Sequence, residues 1–113
     1  MKLLSAKHIE FPEYHKVYNL SMLGNKTDYH NPNDKQKHNL SKLFESLDKH
    51  GMTHPIIISW NAYSVSVGHQ RVWYAKSKGY THIDCYHVPD QAAWEKVFKY
   101  TQSNDYWQQY AYG

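Results

Sequence analysis

The stretch from Tyr63 to Lys76 constrains the fold more than any other part of this chain. Tyr63-Ser64-Val65-Ser66-Val67 alternates with period two, which predicts a strand with Tyr63, Val65 and Val67 on one face and the serines on the other. Val72-Trp73-Tyr74-Ala75-Lys76 reads as helix, and Gly68 stands between the two runs. A strand that turns through glycine into a helix aims several backbone N–H groups, and the positive end of the helix dipole, at one spot. That spot suits an anion. Arg71, in the first helical turn, adds a planar fork of donors that fits phosphate or carboxylate. Gly68, His69, Gln70 and Arg71 therefore form a candidate phosphate site. The plainer alternative is a capped helix with a surface arginine.

The neighbouring patterns place this turn in a domain. Leu40, Leu43, Phe44 and Leu47 make one apolar stripe, so residues 39–50 read as a helix closed by Gly51. Residues 55–60, with Ile56-Ile57-Ile58 at their centre, read as a buried strand, and Asn61-Ala62 as the turn into the next. The helix opened at His69 runs to Gly79. Residues 81–88 read as a further strand with Ile83 and Cys85 inward. Asp90 caps a last helix in which Trp94, Val97, Phe98 and Thr101 recur at helical spacing. The expected class is a small α+β domain, a short mixed sheet packed by helices. With 113 residues, the chain fits a single domain over 1–113. Residues 1–33 form an N-terminal arm in which Ile9, Phe11, Tyr14, Val17 and Tyr18 pack. Gly24 to Asp34 reads as turns or loop. Residues 89–113 supply the last helix and an aromatic tail, Tyr106-Trp107-Gln108-Gln109-Tyr110. That tail reads as packing, as a partner surface or as a stacking platform for bases.

Composition narrows the class of partner. The net charge of +3 is mild; it tolerates a nucleotide or nucleic-acid partner without demanding one. The basic stripe of a duplex binder is absent. Cys85 stands alone, so no internal disulfide forms and a reducing compartment is expected. No apolar run approaches the roughly 18–20 residues that cross a bilayer. The apolar part of the N-terminus is too short for a secretory signal. A cytoplasmic protein without a membrane partner is expected. The nine histidines raise the question of a metal. Gly51 breaks the helix between His50 and His54, and His82 and His87 should point to opposite faces of a strand. No metal site is expected.

Two longer stretches resemble a known family. Leu43 to Ile58, a helix ending in glycine and followed by a Pro-aliphatic strand, is similar to the first box of the ParB N-terminal domain. Tyr63 through Arg71 is similar to its second box, and Ala75, Gly79 and the strand Ile83 to Val88 continue the match. Over residues 34–88 the chain resembles the ParB/sulfiredoxin superfamily, which includes proteins labelled ParB-like nucleases. The resemblance implies a sulfiredoxin-like fold that binds a nucleotide of ATP or CTP type, with Mg²⁺ carried on its phosphates. By position, Gly68 makes the turn and His69, Gln70 and Arg71 line the phosphates. Ser46 on the first helix faces the same pocket, and Lys42, one turn away, adds charge.

The departures shape the expected function. Gln70 stands where ParB has the first of two arginines, and His69 stands where sulfiredoxin has its reactive cysteine. Cys85, on a strand, does not replace it, so sulfiredoxin repair is not expected. Many phage-type members carry Asp before the glycine, where this chain has Val67. The chain ends before the helix-turn-helix and dimerisation regions of ParB, so a short stand-alone protein of phage or mobile-element type is expected. Three readings follow. The first is a nucleotide-binding regulator or ligand-binding module. The second is a phosphotransferase or nucleotide hydrolase with His69 as acid/base and Arg71 stabilising charge on phosphate. The third is a DNA-binding protein or nuclease.

Overall fold

The computed structural model of this chain describes residues 1–24 and 34–104. The aromatic tail at Tyr106–Tyr110 and most of the Gly24–Asp34 loop lie outside the described residues. Among the described residues five strands and three α-helices follow in order: β1 (Leu3–Leu4), β2 (His15–Asn19), α1 (Asp34–His50), β3 (Ile56–Ile58), β4 (Val65–Val67), α2 (His69–Ser77), β5 (His82–His87) and α3 (Gln91–Asn104). This is the α+β arrangement that the sequence pattern implies.

Strand β5 is the hub of the mixed sheet. On one edge β2 runs antiparallel to it from His82 to Tyr86. The other edge is shared end to end. β1 lies parallel at His82 and Ile83, and β3 lies parallel from Cys85 to His87. β4 then pairs antiparallel with β3. The expected three strands are present, and β1 and β2 are additions from the N-terminal arm. β2 escapes a pattern search because it is half-buried at best: His15-Lys16-Val17-Tyr18-Asn19 shows no clean apolar face. Its place is fixed by partners instead. The buried Asp84 carboxylate accepts from the Ala6 backbone N–H at 2.8 Å and from His15 Nε2 at 2.8 Å. The Tyr86 hydroxyl accepts from the Glu10 N–H at 2.7 Å.

The sheet separates two cores. Ile56 and Ile58 face α1 and α2 through Leu43, Leu47, Val72 and Ala75, together with Ile83 and Cys85 of β5. Ile57 points the other way and packs with Tyr86, Val88, Ala93 and Val97 under α3. Asp90 Oδ1 accepts from the Ala93 N–H at 2.9 Å and caps α3 as expected. One expectation fails. Val65 belongs to the first core and Val67 to the second, so they do not share a face. The cause is a bulge. Ile57 pairs with Val67 and Ile58 with Val65, which leaves Ser66 extra and shifts the alternation. Ser66 Oγ then accepts from Trp94 Nε1 of α3 at 2.8 Å. The bulge sits one residue before the candidate turn and sets the direction from which the chain enters α2.

Candidate functional site

The turn after β4 has little freedom. Gly68 adopts φ +112°, and a Cβ at this position would lie 2.4 Å from Ile56 Cγ2 and 2.8 Å from Ile56 Cβ. Backbone and space both require glycine. α2 follows at once. Its first ladder bond runs from the Val72 N–H to the Gly68 carbonyl at 2.9 Å. The N–H groups of His69, Gln70 and Arg71 precede that ladder, and Gly68 brings no side chain to cap them. The N-cap residue itself thus leaves these donors to other acceptors, and a strand-to-helix turn of this kind is a geometry that receives anions. His69 and Gln70 are half-buried there. Gln70 Oε1 is buried and accepts no hydrogen bond among the described residues.

Arg71 is not a surface arginine. It is 1% exposed, and its Nη1 donates to the His54 carbonyl at 2.7 Å. Its Nη2 lies 3.2 Å from the position a Gly68 Cβ would take. The guanidinium thus sits beneath the turn and tethers it to the start of β3. Its charge acts on the turn from below, rather than as a fork displayed on the surface. His54 is a partner of Arg71 that the sequence pattern does not single out. Its ring is buried against His8, with centroids 5.8 Å apart, and against Tyr100 of α3 at 5.3 Å. The visible signal was position alone: a polar residue directly before a Pro-aliphatic strand, where its carbonyl is free to accept.

The two α1 residues lie differently. Lys42 is exposed and Ser46 half-buried. The described contacts between α1 and α2 run through other side chains. The Phe44 ring meets Trp73 at 5.2 Å and Tyr74 at 5.0 Å. The Tyr74 hydroxyl donates to Asp48 Oδ1 at 2.8 Å, and Lys78 Nζ reaches Asp48 Oδ2 at 3.4 Å. The Tyr74 bond, with Lys78, holds the Asp48 carboxyl below its ordinary range. Burial and the same bond push the Tyr74 phenol up. Ser46 is two residues from both Phe44 and Asp48, about 200° round the helix. Ser46 and Lys42 therefore occupy a flank of α1 other than the one these contacts bring against α2. The contact the structure adds to the Gly68–Arg71 turn is that of Arg71 with His54, and the contacts just described do not involve Ser46 or Lys42.

No family model matches the chain, and no curated protein matches it. Among solved structures it is similar to a Pnob8-like ParB-N domain, with a TM-score of 0.48 and 19% identity over 80% of this chain. The match covers 36% of that structure's chain, so this chain spans about a third of its length. Among the described residues no helix is long and apolar enough to cross a membrane.

Proposed function

We propose that this ParB-like domain binds a nucleotide by its phosphates at the Gly68–Arg71 turn and acts as a regulator or ligand-binding module. The observation that carries the reading is the start of α2 at a glycine that has no room for a side chain over Ile56, with the Arg71 guanidinium beneath it. Charge supports it. Between Asp48 and Asp84 the chain has no acidic residue, while it carries Lys49, Arg71, Lys76 and Lys78. An acid-free segment around an N-terminal helix turn favours an anion. Gln70 Oε1 adds an acceptor beside the N–H donors. A ligand with phosphate oxygens and ribose hydroxyls answers both. Mg²⁺, if it accompanies the nucleotide, would be held by phosphates and water with few protein ligands.

Calorimetry of the whole chain against ATP, CTP and GTP tests the proposal. Arg71→Met should lower affinity about tenfold or more through loss of a charged group near the phosphates. Arg71→Lys, which keeps the charge without the fork, should fall between. No binding of any of the three nucleotides at millimolar concentration would sink the reading. Phosphate release that disappears in His69→Ala would replace it with the hydrolase reading.

A further inference from the structure

The opposite end of β4 carries a different cluster. Tyr63 precedes the strand as Gly68 follows it, five residues and roughly 16 Å of extended chain away. There the Tyr63 ring meets Tyr18 edge to face, with centroids 5.3 Å apart at 89°, and tilts against His87 at 5.7 Å. Tyr18 and His87 are joined by a 2.6 Å bond from hydroxyl to Nδ1. Three rings from β2, β5 and the β3–β4 connection thus fix one another. Even so, Tyr63 stays 49% exposed, and Trp60 on the same connection is 44% exposed. A core aromatic would be covered, and a stray surface ring would lack this bracing.

We infer that Tyr63, Tyr18 and His87 form a platform for an unpaired nucleobase, so that this face receives single-stranded nucleic acid. Stacking on a held, half-open ring is the sequence-tolerant part of such binding. Hydrogen bonding is the second part. The phenol is the stronger acid and imidazole the stronger base, so the Tyr18 O–H donates to Nδ1 and the neutral ring's proton sits on Nε2. Among the described residues the bond that holds His87 uses Nδ1, so Nε2–H can serve an acceptor on a base edge or a phosphate. Charge is the third. Lys16 is exposed and shares the Tyr18 face of β2 by strand alternation. Neither residues 14–24 nor residues 59–68 contain an acidic residue. An aromatic surface bordered by lysine fits a strand that brings bases and phosphates together. This site does not depend on the phosphate site at Gly68.

The test uses fluorescence anisotropy with the whole chain at low salt. Three probes of equal length are compared: a single-stranded oligodeoxynucleotide, the same strand with abasic sites, and its duplex. The intact strand should bind about 5- to 100-fold more tightly than the abasic strand, the range expected for one stacked base. Tyr63→Ala should abolish that preference, Tyr63→Phe should keep it, and His87→Ala should reduce it. Equal binding of intact and abasic strands would overturn the inference, and that is also the result expected if the patch receives a protein. A duplex that binds as well as the single strand would overturn it, as would no binding of any probe, or a preference that survives Tyr63→Ala.

Discussion

The two ends of β4 meet opposite demands with the same short strand. At the Gly68 end everything is close-fitting. A glycine sits on Ile56, an arginine is 1% exposed, and a carbonyl holds its guanidinium at 2.7 Å. At the Tyr63 end the rings brace one another yet leave half of Tyr63 to solvent. The difference teaches how a small domain divides its tasks. A site built from backbone N–H groups must be rigid, because its donors are the chain itself and any shift of α2 moves them all. A site built from side-chain faces needs only its rings held, and the backbone below can be ordinary strand. Substitutions should therefore unsettle the fold at one end and spare it at the other.

The largest effect belongs to Gly68→Ala. A left-handed backbone costs a non-glycine residue about 1–2 kcal/mol, and forcing a methyl against Ile56 adds about 1–3 kcal/mol. Urea unfolding should show a loss of roughly 2–5 kcal/mol. The same change made in Ile56→Ala should cost less, because the clash is gone and only the backbone term remains. A coupling of about 1 kcal/mol between the two positions would be the signature. A loss below about 1 kcal/mol in the single variant would show that the turn is not tight, and the contrast between the ends would fail.

Arg71→Met comes next. It leaves the His54 carbonyl buried without its guanidinium donor, which costs about 1–3 kcal/mol. The apolar replacement offsets part of this by sparing the burial of a charge. A variant that unfolds no more easily than the parent would place Arg71 in binding alone. One that is destabilised and also loses nucleotide affinity would show that the same side chain builds the site and serves it.

The sequence disclosed the two ends unequally, for physical reasons. Gly68 was legible because glycine between a strand and a helix has few other uses, and the helix and strand periods on either side were clean. β3 and β4 were legible because Ile56-Ile57-Ile58 and Val65-Ser66-Val67 carry β-branched residues. The burial of Arg71 was not legible. Arginine is almost always exposed, and its partner is a backbone carbonyl 17 residues away in sequence. The platform at Tyr63 was hidden for a related reason. Its pieces, Tyr18, Tyr63 and His87, are separated by more than twenty residues at each step, and β2 gives no periodic signal. The faces of Val65, Ser66 and Val67 were not legible because a bulge breaks the period of two without changing composition.

The alkaline limb of stability separates core from rim. Burial, and then the neighbouring Asp84 charge, push the Cys85 thiol from 9.0 to about 12. Burial also raises the Tyr18 phenol, with Tyr63 beside it. Both groups hold their protons longer when folded. Their contribution is fully present below about pH 9 and is lost as pH climbs toward the folded values. Urea midpoints measured from about pH 8 to about pH 11 should therefore fall. Cys85→Ala should flatten that decline, and Tyr18→Phe should flatten it less, since Tyr18 sits at the open end. Equal flattening by both would mean that the rim is as enclosed as the core.

Tyr63→Ala should do least to the fold and so gives the sharpest reading of the contrast. Half of the side chain is already in water, and its contacts are ring edges rather than packed core. Surface substitutions of this kind usually change stability by within about 0.5 kcal/mol. The Tyr18–His87 bond does not pass through Tyr63, so it should persist without it. Urea unfolding should then place the variant within error of the parent even where its strand binding has collapsed. That pairing, a silent stability curve with a lost ligand, is what a side-chain platform implies and a structural aromatic does not. A loss above about 1.5 kcal/mol would instead assign Tyr63 to the support of β4, and the two ends would then differ in shape but not in kind.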